Sequence, residues 1–335
     1  MLYDLVHVGH YTKDTIVSTA GTRLVDGGAF NYGAHVAARM GLKVAAITRL
    51  AREDLHVADQ LTRLGVDVFV HATPQSTCLR LEYPTANVDE RVIYVTSTAG
   101  AFTPAEVEDV EGRAFLVGAS IRDEVSLEVV ESLGRKEGLL AADVQGFVRV
   151  ANNGKLVYAA WPQQKQVLSQ VDVLKADSVE ANILTGETDL ARAACALADM
   201  GPSEVVLTHR DGLLVYAGGE YYEAGFYPQE LVGRSGRGDT CIAAYVAKRL
   251  SASPLEATVW AAAVTSLKME AEGPFLRQMT EVEELIQSQY GGTGLIHVHR
   301  TEGCDDVRPA DQERACFGRL HRRTGAPAAR PGCSD

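Results

Sequence analysis

Apolar and polar positions along this chain follow two rhythms in turn. Short apolar runs rich in β-branched residues, at 5–8, 44–48, 66–70, 115–117, 139–143, 173–175 and 205–208, predict strands. Apolar residues at helical spacing over 31–40, 57–64, 127–135, 179–184, 191–200, 241–250, 255–272 and 282–289 predict helices. Strand and helix in succession imply βαβ units, and so an α/β fold around a mostly parallel central sheet.

One stretch departs from that succession. Residues 77–83 and 91–96 read as two strands joined by a polar turn at 84–90, a hairpin rather than a crossover. Together with strands at 15–19 and 23–25 they predict a small separate sheet, drawn from about 11–26 and 72–97, that covers a cleft as a lid or packs a homodimer. From Gly291 onward the apolar periodicity stops, lysine disappears, and glycine and proline multiply. The segment 291–335 is expected to be a disordered tail, leaving 1–290 as the folded domain.

Composition narrows the function. A chain of 335 residues, 46% of them hydrophobic, can bury a full α/β core. Its net charge of −12 argues against nucleic acid or an anionic membrane as partner, since both need a basic field. A phosphate-bearing ligand would therefore need local help from backbone N–H groups, Arg, Lys or a cation. The six cysteines show no zinc-like spacing and read as free thiols. With no apolar run long enough to cross a bilayer, the expected location is cytoplasmic.

The candidate chemistry concentrates at Gly233-Arg234-Ser235-Gly236-Arg237-Gly238-Asp239-Thr240, directly before a helix. Gly236 and Gly238 allow a tight turn with converging N–H groups, the helix N-terminus adds partial positive charge, and Asp239 stands beside it. These are an anion hole and a base, the two parts that phosphoryl transfer to a hydroxyl requires. The competing reading is a turn with Asp239 as helix N-cap. Asp177 and Glu180, three apart where a strand enters a helix, could hold Mg²⁺ through water or form a capping box, and both can hold together. Asp14 follows the first strand, Gly27-Gly28 opens the first long helix, and Asp143 and Gln145 end a strand at the same rim.

In this order the motifs resemble the ribokinase-like carbohydrate kinases, also called the phosphofructokinase-B family, over roughly residues 3 to 290. The resemblance rests on Gly9 with Asp14, Gly27-Gly28 through Gly41, Asp177 and Glu180 before Leu184-Thr185-Gly186, Val206-Leu207-Thr208, and Gly236-Arg237-Gly238-Asp239. It implies a three-layer αβα domain with a β lid, and ATP-dependent phosphorylation of a hydroxyl on a small polyol. Asp239 would be the base, the Gly236, Arg237 and Gly238 segment the anion hole, and Asp14, Gly27, Gly28, Asn31, Tyr32, Asp143 and Gln145 the acceptor site. Mg²⁺-ATP would lie along Lys175, Thr208, Gly212, Gly236 and Gly238.

Departures from the family pattern matter. Gly233 stands where an Asp is usual, which puts in doubt the monovalent-cation site that some members build with it. Arg237 replaces an Ala and could face the phosphoryl group or point outward; Tyr32 stands where a sugar-binding Asn is common. Val8-Gly9-His10-Tyr11, Tyr32, Asp143-Val144-Gln145 with Arg149, and Leu174-Lys175-Ala176 are similar to the myo-inositol kinase branch. An ordinary sugar or nucleoside acceptor, and a non-catalytic sugar or nucleotide sensor, stay open beside it. A nicotinamide-dependent dehydrogenase is argued against by the lack of Gly-x-Gly-x-x-Gly after the first strand.

Overall fold

The computed structural model describes residues 1–19, 21–85, 91–291 and 298–299. The chain opens with strands β1 (Leu2–Val8), β2 (Thr12–Ser18) and β3 (Gly21–Gly27), then α1 (Ala29–Arg39), β4 (Val44–Ala51), α2 (His56–Arg63) and β5 (Asp67–Thr73). It continues through β6 (Thr77–Glu82), β7 (Val92–Ser97), α3 (Ala105–Glu108), β8 (Glu111–Val117), α4 (Leu127–Gly134), β9 (Leu139–Asp143) and α5 (Gln145–Val148). Next come β10 (Arg149–Asn152), β11 (Lys155–Tyr158), α6 (Gln164–Leu168), β12 (Val173–Asp177), α7 (Ser178–Thr185) and α8 (Leu190–Ala198). The last elements are β13 (Glu204–Thr208), β14 (Gly212–Ala217), β15 (Glu220–Gly225), α9 (Arg237–Arg249), α10 (Pro254–Met269), α11 (Met279–Leu285) and β16 (Val298–His299).

Ten strands form the main sheet in the order β16-β15-β14-β13-β12-β9-β8-β1-β4-β5. The block from β13 to β5 is parallel, and β14, β15 and β16 extend it antiparallel. Strand side chains alternate between two apolar layers, as a sheet covered on both faces demands. Leu5, Val44, Ala46 and Val215 pack with α1, α9 and α10, while Val6, Val8, Ala45 and Ile47 pack with α4, α7 and α8. The αβα expectation holds, and the parallel strands end together at Val8, Val117, Asp143, Asp177 and Thr208. That shared rim is where ligands sit in such sheets.

The separate sheet has six strands in the order β10-β11-β7-β6-β2-β3. The expected hairpin and its neighbours are present, and β10 with β11 adds a second hairpin around Asn153 and Gly154, both at positive φ. Asn-Gly is a strong hairpin signal, and the few residues on either side hid it. Most of the 84–90 turn lies outside the described residues, as does most of the 291–335 tail. Within that tail, Val298–His299 pairs with Tyr222 and Tyr221 of β15, so this short piece joins the sheet against expectation. A free sheet edge accepts any short extended segment.

Two further corrections concern local detail. The helix expected from 241 begins at Arg237 with Gly236 as N-cap, so Asp239 stands inside the first turn rather than before it. Two glycines lower helix propensity there, but the packing of α9 against α1 and α10 outweighs it. Cys78 and Cys241 are free, whereas Cys195 is disulfide-bonded. Sequence spacing does not report which thiols meet in space. Among the described residues no helix is long and apolar enough to cross a membrane.

Candidate active site

A cleft of about 620 Å³ lies between the parallel-strand rim and the six-stranded sheet. Its floor is the loop entering α9. Gly236 adopts φ 73°, and a Cβ there would stand 2.3 Å from the Tyr32 ring, so only glycine lets the ring lie on the loop. The first-turn amides of a helix have no intrahelical acceptor. Arg237 N–H turns back to the Arg234 carbonyl at 3.2 Å. The amides of Gly238 and Asp239 then remain as donors for a bound anion.

Asp239 lines the cleft at that point. Gln145 Nε2 donates to its Oδ1 across 3.4 Å. Burial pushes the Asp239 carboxyl up, while Lys175 and Arg149 pull it down. Lys175 itself is buried, donating to Asp143 Oδ2 at 2.9 Å with Glu180 Oε2 3.9 Å away. Burial opposes the charge on Lys175, but Asp143, Glu180 and Asp177 outweigh that and hold it protonated. The result is a fixed ammonium against the glycine loop: a Cβ on Gly238 would come within 2.7 Å of Lys175 Nζ.

The opposite wall carries Asp14, on β2. It is buried at 7% exposure, and its Oδ1 has no hydrogen-bond partner among the described residues. Burial pushes this carboxyl up to about 7, against the Thr12 hydroxyl and the charge of Arg91. Tyr32 Oη, on another cleft residue, is likewise without a partner among the described residues. Buried polar atoms left alone at a cleft wall call for a polar ligand. Leu79, Leu81 and Ile93 form an apolar roof above them.

The structure brings Asp14, Gly28, Tyr32, Gln145, Lys175, Asp177, Thr208, Gly236, Arg237, Gly238 and Asp239 to this one cleft. Five expected residues stand behind it. Gly27 lies under Asp14, Asn31 donates to the Asp26 carbonyl at 3.1 Å, and Asp143 acts through Lys175. Gly212 packs against β15, where a Cβ would meet the Ala224 carbonyl at 2.4 Å. Glu180 is fully buried, accepting from Arg149 at 3.1 Å and from the Asp177 amide at 2.9 Å. The capping box between Asp177 and Glu180 is therefore formed, and with Arg149 it occupies the Glu180 oxygens expected to hold Mg²⁺ through water.

The sequence pointed to Arg149, Lys175, Arg234 and Arg237 but not to Arg91, Lys155 or Arg210. Among the described residues, Arg91, Arg149, Lys155, Lys175, Arg210, Arg234 and Arg237 line the cleft, seven positive groups beside the three lining carboxylates Asp14, Asp177 and Asp239, with Asp143 and Glu180 pairing Lys175 and Arg149 from behind. On a chain of net charge −12 this is a strong local reversal. Arg149 is flanked by Val148 and Val150, and a charge amid apolar residues needs a reason to be buried. Arg237, whose direction the sequence left open, lines the cleft with its guanidinium 5.9 Å from the Phe226 ring.

An αβα domain with a carboxylate at a glycine loop, ringed by cations and roofed by a second sheet, has the architecture of a sugar kinase. The chain belongs to the pfkB family of carbohydrate kinases, whose family model matches residues 2–275. It is similar to a pyrophosphate-dependent kinase in the ribokinase family, solved with a pyrophosphate analog and myo-inositol. The two are 35% identical with a TM-score of 0.78, over 84% of this chain and 99% of that one. It is 26% identical to the cytidine kinase of Thermococcus kodakarensis over 267 residues, 77% of this chain and 92% of that protein. Arabidopsis thaliana ribokinase, solved with ribose and ATP, shares the fold at a TM-score of 0.69 and 18% identity, over 86% of this chain and 99% of that one.

Proposed function

We propose that this kinase transfers a phosphoryl group from inorganic pyrophosphate to a hydroxyl of a small cyclic polyol of the myo-inositol kind. The observation that carries the donor assignment is the ring of seven cations in the cleft. Pyrophosphate offers no base or ribose to grip, so its binding free energy must come from charge, and multiple Arg and Lys side chains supply it. The pyrophosphate-dependent relative solved with myo-inositol supports both halves of this reading.

In the proposed reaction the acceptor hydroxyl lies between Asp14, Tyr32 and Asp239. Asp239 takes its proton as the oxygen attacks phosphorus, an O–P bond forms, and the bridging P–O bond breaks to release orthophosphate. The amides of Gly238 and Asp239, with Lys175, hold the charge that spreads over the phosphoryl oxygens. Apolar Leu79, Leu81 and Ile93 suit the C–H faces of a cyclitol and keep water from the phosphorus. Mg²⁺ neutralises donor charge when bound. Asp177 on the cleft wall fits it, Glu180 does not, and the ion would take its other ligands from donor oxygens and water.

A second reading keeps ATP with Mg²⁺ as donor, the cofactors that the family resemblance implies. Its support is Val179, 53% exposed at the cleft rim, on which a base could lie. The cytidine kinase relative likewise keeps a nucleoside acceptor in the test. Purified protein would be given pyrophosphate or ATP, each with Mg²⁺, against a panel of cyclitols, hexoses, pentoses and nucleosides, and product followed by ³¹P NMR. A phosphomonoester from myo-inositol with pyrophosphate is the expected result. Turnover with ATP alone would overturn the donor assignment, and turnover with cytidine alone the acceptor assignment.

A further inference from the structure

Lys268 lies in the last turn of α10, outside the cleft, yet it is buried at 2% exposure. Its Nζ stands 3.4 Å from the Gly233 carbonyl oxygen and 5.6 Å from the centroid of the Tyr32 ring. Both contacts lead to the same place. Gly233 opens the segment that ends in the anion-binding turn, and Tyr32 is the ring that lies on Gly236.

The chain around Lys268 is tied to that segment by its backbone as well. The Met269 carbonyl accepts from Val232 N–H at 2.9 Å and from Gly233 N–H at 3.0 Å. A Cβ on Gly233 would come within 2.8 Å of the Ala271 carbonyl, so this position presents a bare carbonyl dipole to the ammonium and no carboxylate. Burial pushes the Lys268 ammonium down to about 8, and Glu272 and Asp239 are the charges that support its proton. A cation in so dry a place costs free energy unless it acts on something. Here the carbonyl oxygen and the ring face hold it, a cation–π geometry on one side and a charge–dipole contact on the other.

We propose that Lys268 is a positioning residue for the reaction: its ammonium, docked on the Gly233 carbonyl and the face of Tyr32, fixes the 233–238 segment and sets a positive charge behind the phosphate-binding amides. The proposal rests on the reading of that segment as the anion hole. A fixed charge behind the amides is preorganised and needs no rearrangement when the phosphoryl group arrives. Removing it should leave acceptor binding at Asp14 nearly intact while weakening donor binding and slowing the chemical step.

The test compares Lys268→Met, Lys268→Gln and Lys268→Arg with the unaltered protein and with Asp239→Asn. Donor binding is read as the thermal shift produced by Mg²⁺-pyrophosphate, which needs no turnover, and rates are read with myo-inositol. The Met and Gln variants are expected to lose most of the pyrophosphate-induced shift and about 10- to 100-fold in kcat, the range found when groups that orient direct ligands are removed. Acceptor KM should change little, Arg should restore most of the rate, and ammonium salts should partly rescue Lys268→Met alone. If the Met variant does not fold, the Gln variant decides on the same readouts. Wild-type shift and kcat in either folded neutral variant overturn the proposal. The lack of any pyrophosphate-induced shift in the unaltered protein would instead overturn the anion-hole reading beneath it, and unchanged turnover in Asp239→Asn the assignment of the base, so the failures are distinguishable.

Discussion

Lys175 and Gly238 occupy one another's space: the ammonium of the first stands 2.7 Å from where the second would carry a Cβ. Because Asp143 and Glu180 pin that ammonium from behind, it has little room to retreat. Gly238→Ala is therefore expected to displace Lys175 from the phosphate position. The predicted outcome is a kcat loss of about 10²-fold or more, as for a lost oxyanion donor. The accompanying stability cost is about 1–3 kcal/mol for overpacking. Steady-state rates together with a urea melt check it, and an alanine variant with normal rates would show that Lys175 takes no part.

Asp14 couples stability to function through its proton. In the folded protein it holds that proton up to about pH 7, far above the ordinary 3.8, mainly because it is buried. Between those values the folded state binds more protons than the unfolded one, so this contribution to stability is present at acid pH and is lost as pH rises through about 7. Asp14→Asn should raise Tm, more at pH 8 than at pH 5. The same variant should lose acceptor kcat/KM and remove the acidic limb near pH 7 expected of the unaltered enzyme. Calorimetry at the two pH values and a pH–rate profile measure both effects; a variant no more stable at pH 8 than at pH 5 contradicts the account.

Glu180 stands buried behind the cleft wall. It caps α7 with Asp177 and receives Arg149 at 3.1 Å. Glu180→Gln keeps the shape but leaves Arg149 and Lys175 short of a countercharge. Breaking a buried pair of this kind costs about 3–5 kcal/mol. The expected result is a large loss of stability that added Mg²⁺ does not alter. Were Glu180 instead a metal-site residue, the variant would retain its Tm and show a raised Mg²⁺ requirement.

The distance between partners decided what could be read in advance. Asp177 and Glu180 are three residues apart, and their capping box was legible because helix geometry alone brings them together. The loop from Gly236 to Asp239 was legible for the same reason. Asp143 and Lys175 lie 32 residues apart on neighbouring strands, and no local pattern announces their ion pair. Lys268 sits 35 residues from the Gly233 carbonyl it meets, and within α10 it reads as one more polar residue in a helix. The β14–β15 hairpin that widens the main sheet went unread as well, although Gly218 and Gly219, both at positive φ, mark its turn.

In the proposed reaction Asp239 removes the proton of the acceptor hydroxyl while the amides beside it hold the phosphoryl group. Asp239→Asn keeps the volume and the bond to Gln145 within reach but removes the base. With myo-inositol, pyrophosphate and Mg²⁺, product formation followed by ³¹P NMR is predicted to fall by about 10²- to 10⁴-fold. The pyrophosphate-induced thermal shift should persist in the same variant. Turnover within a fewfold of the unaltered protein would contradict the account.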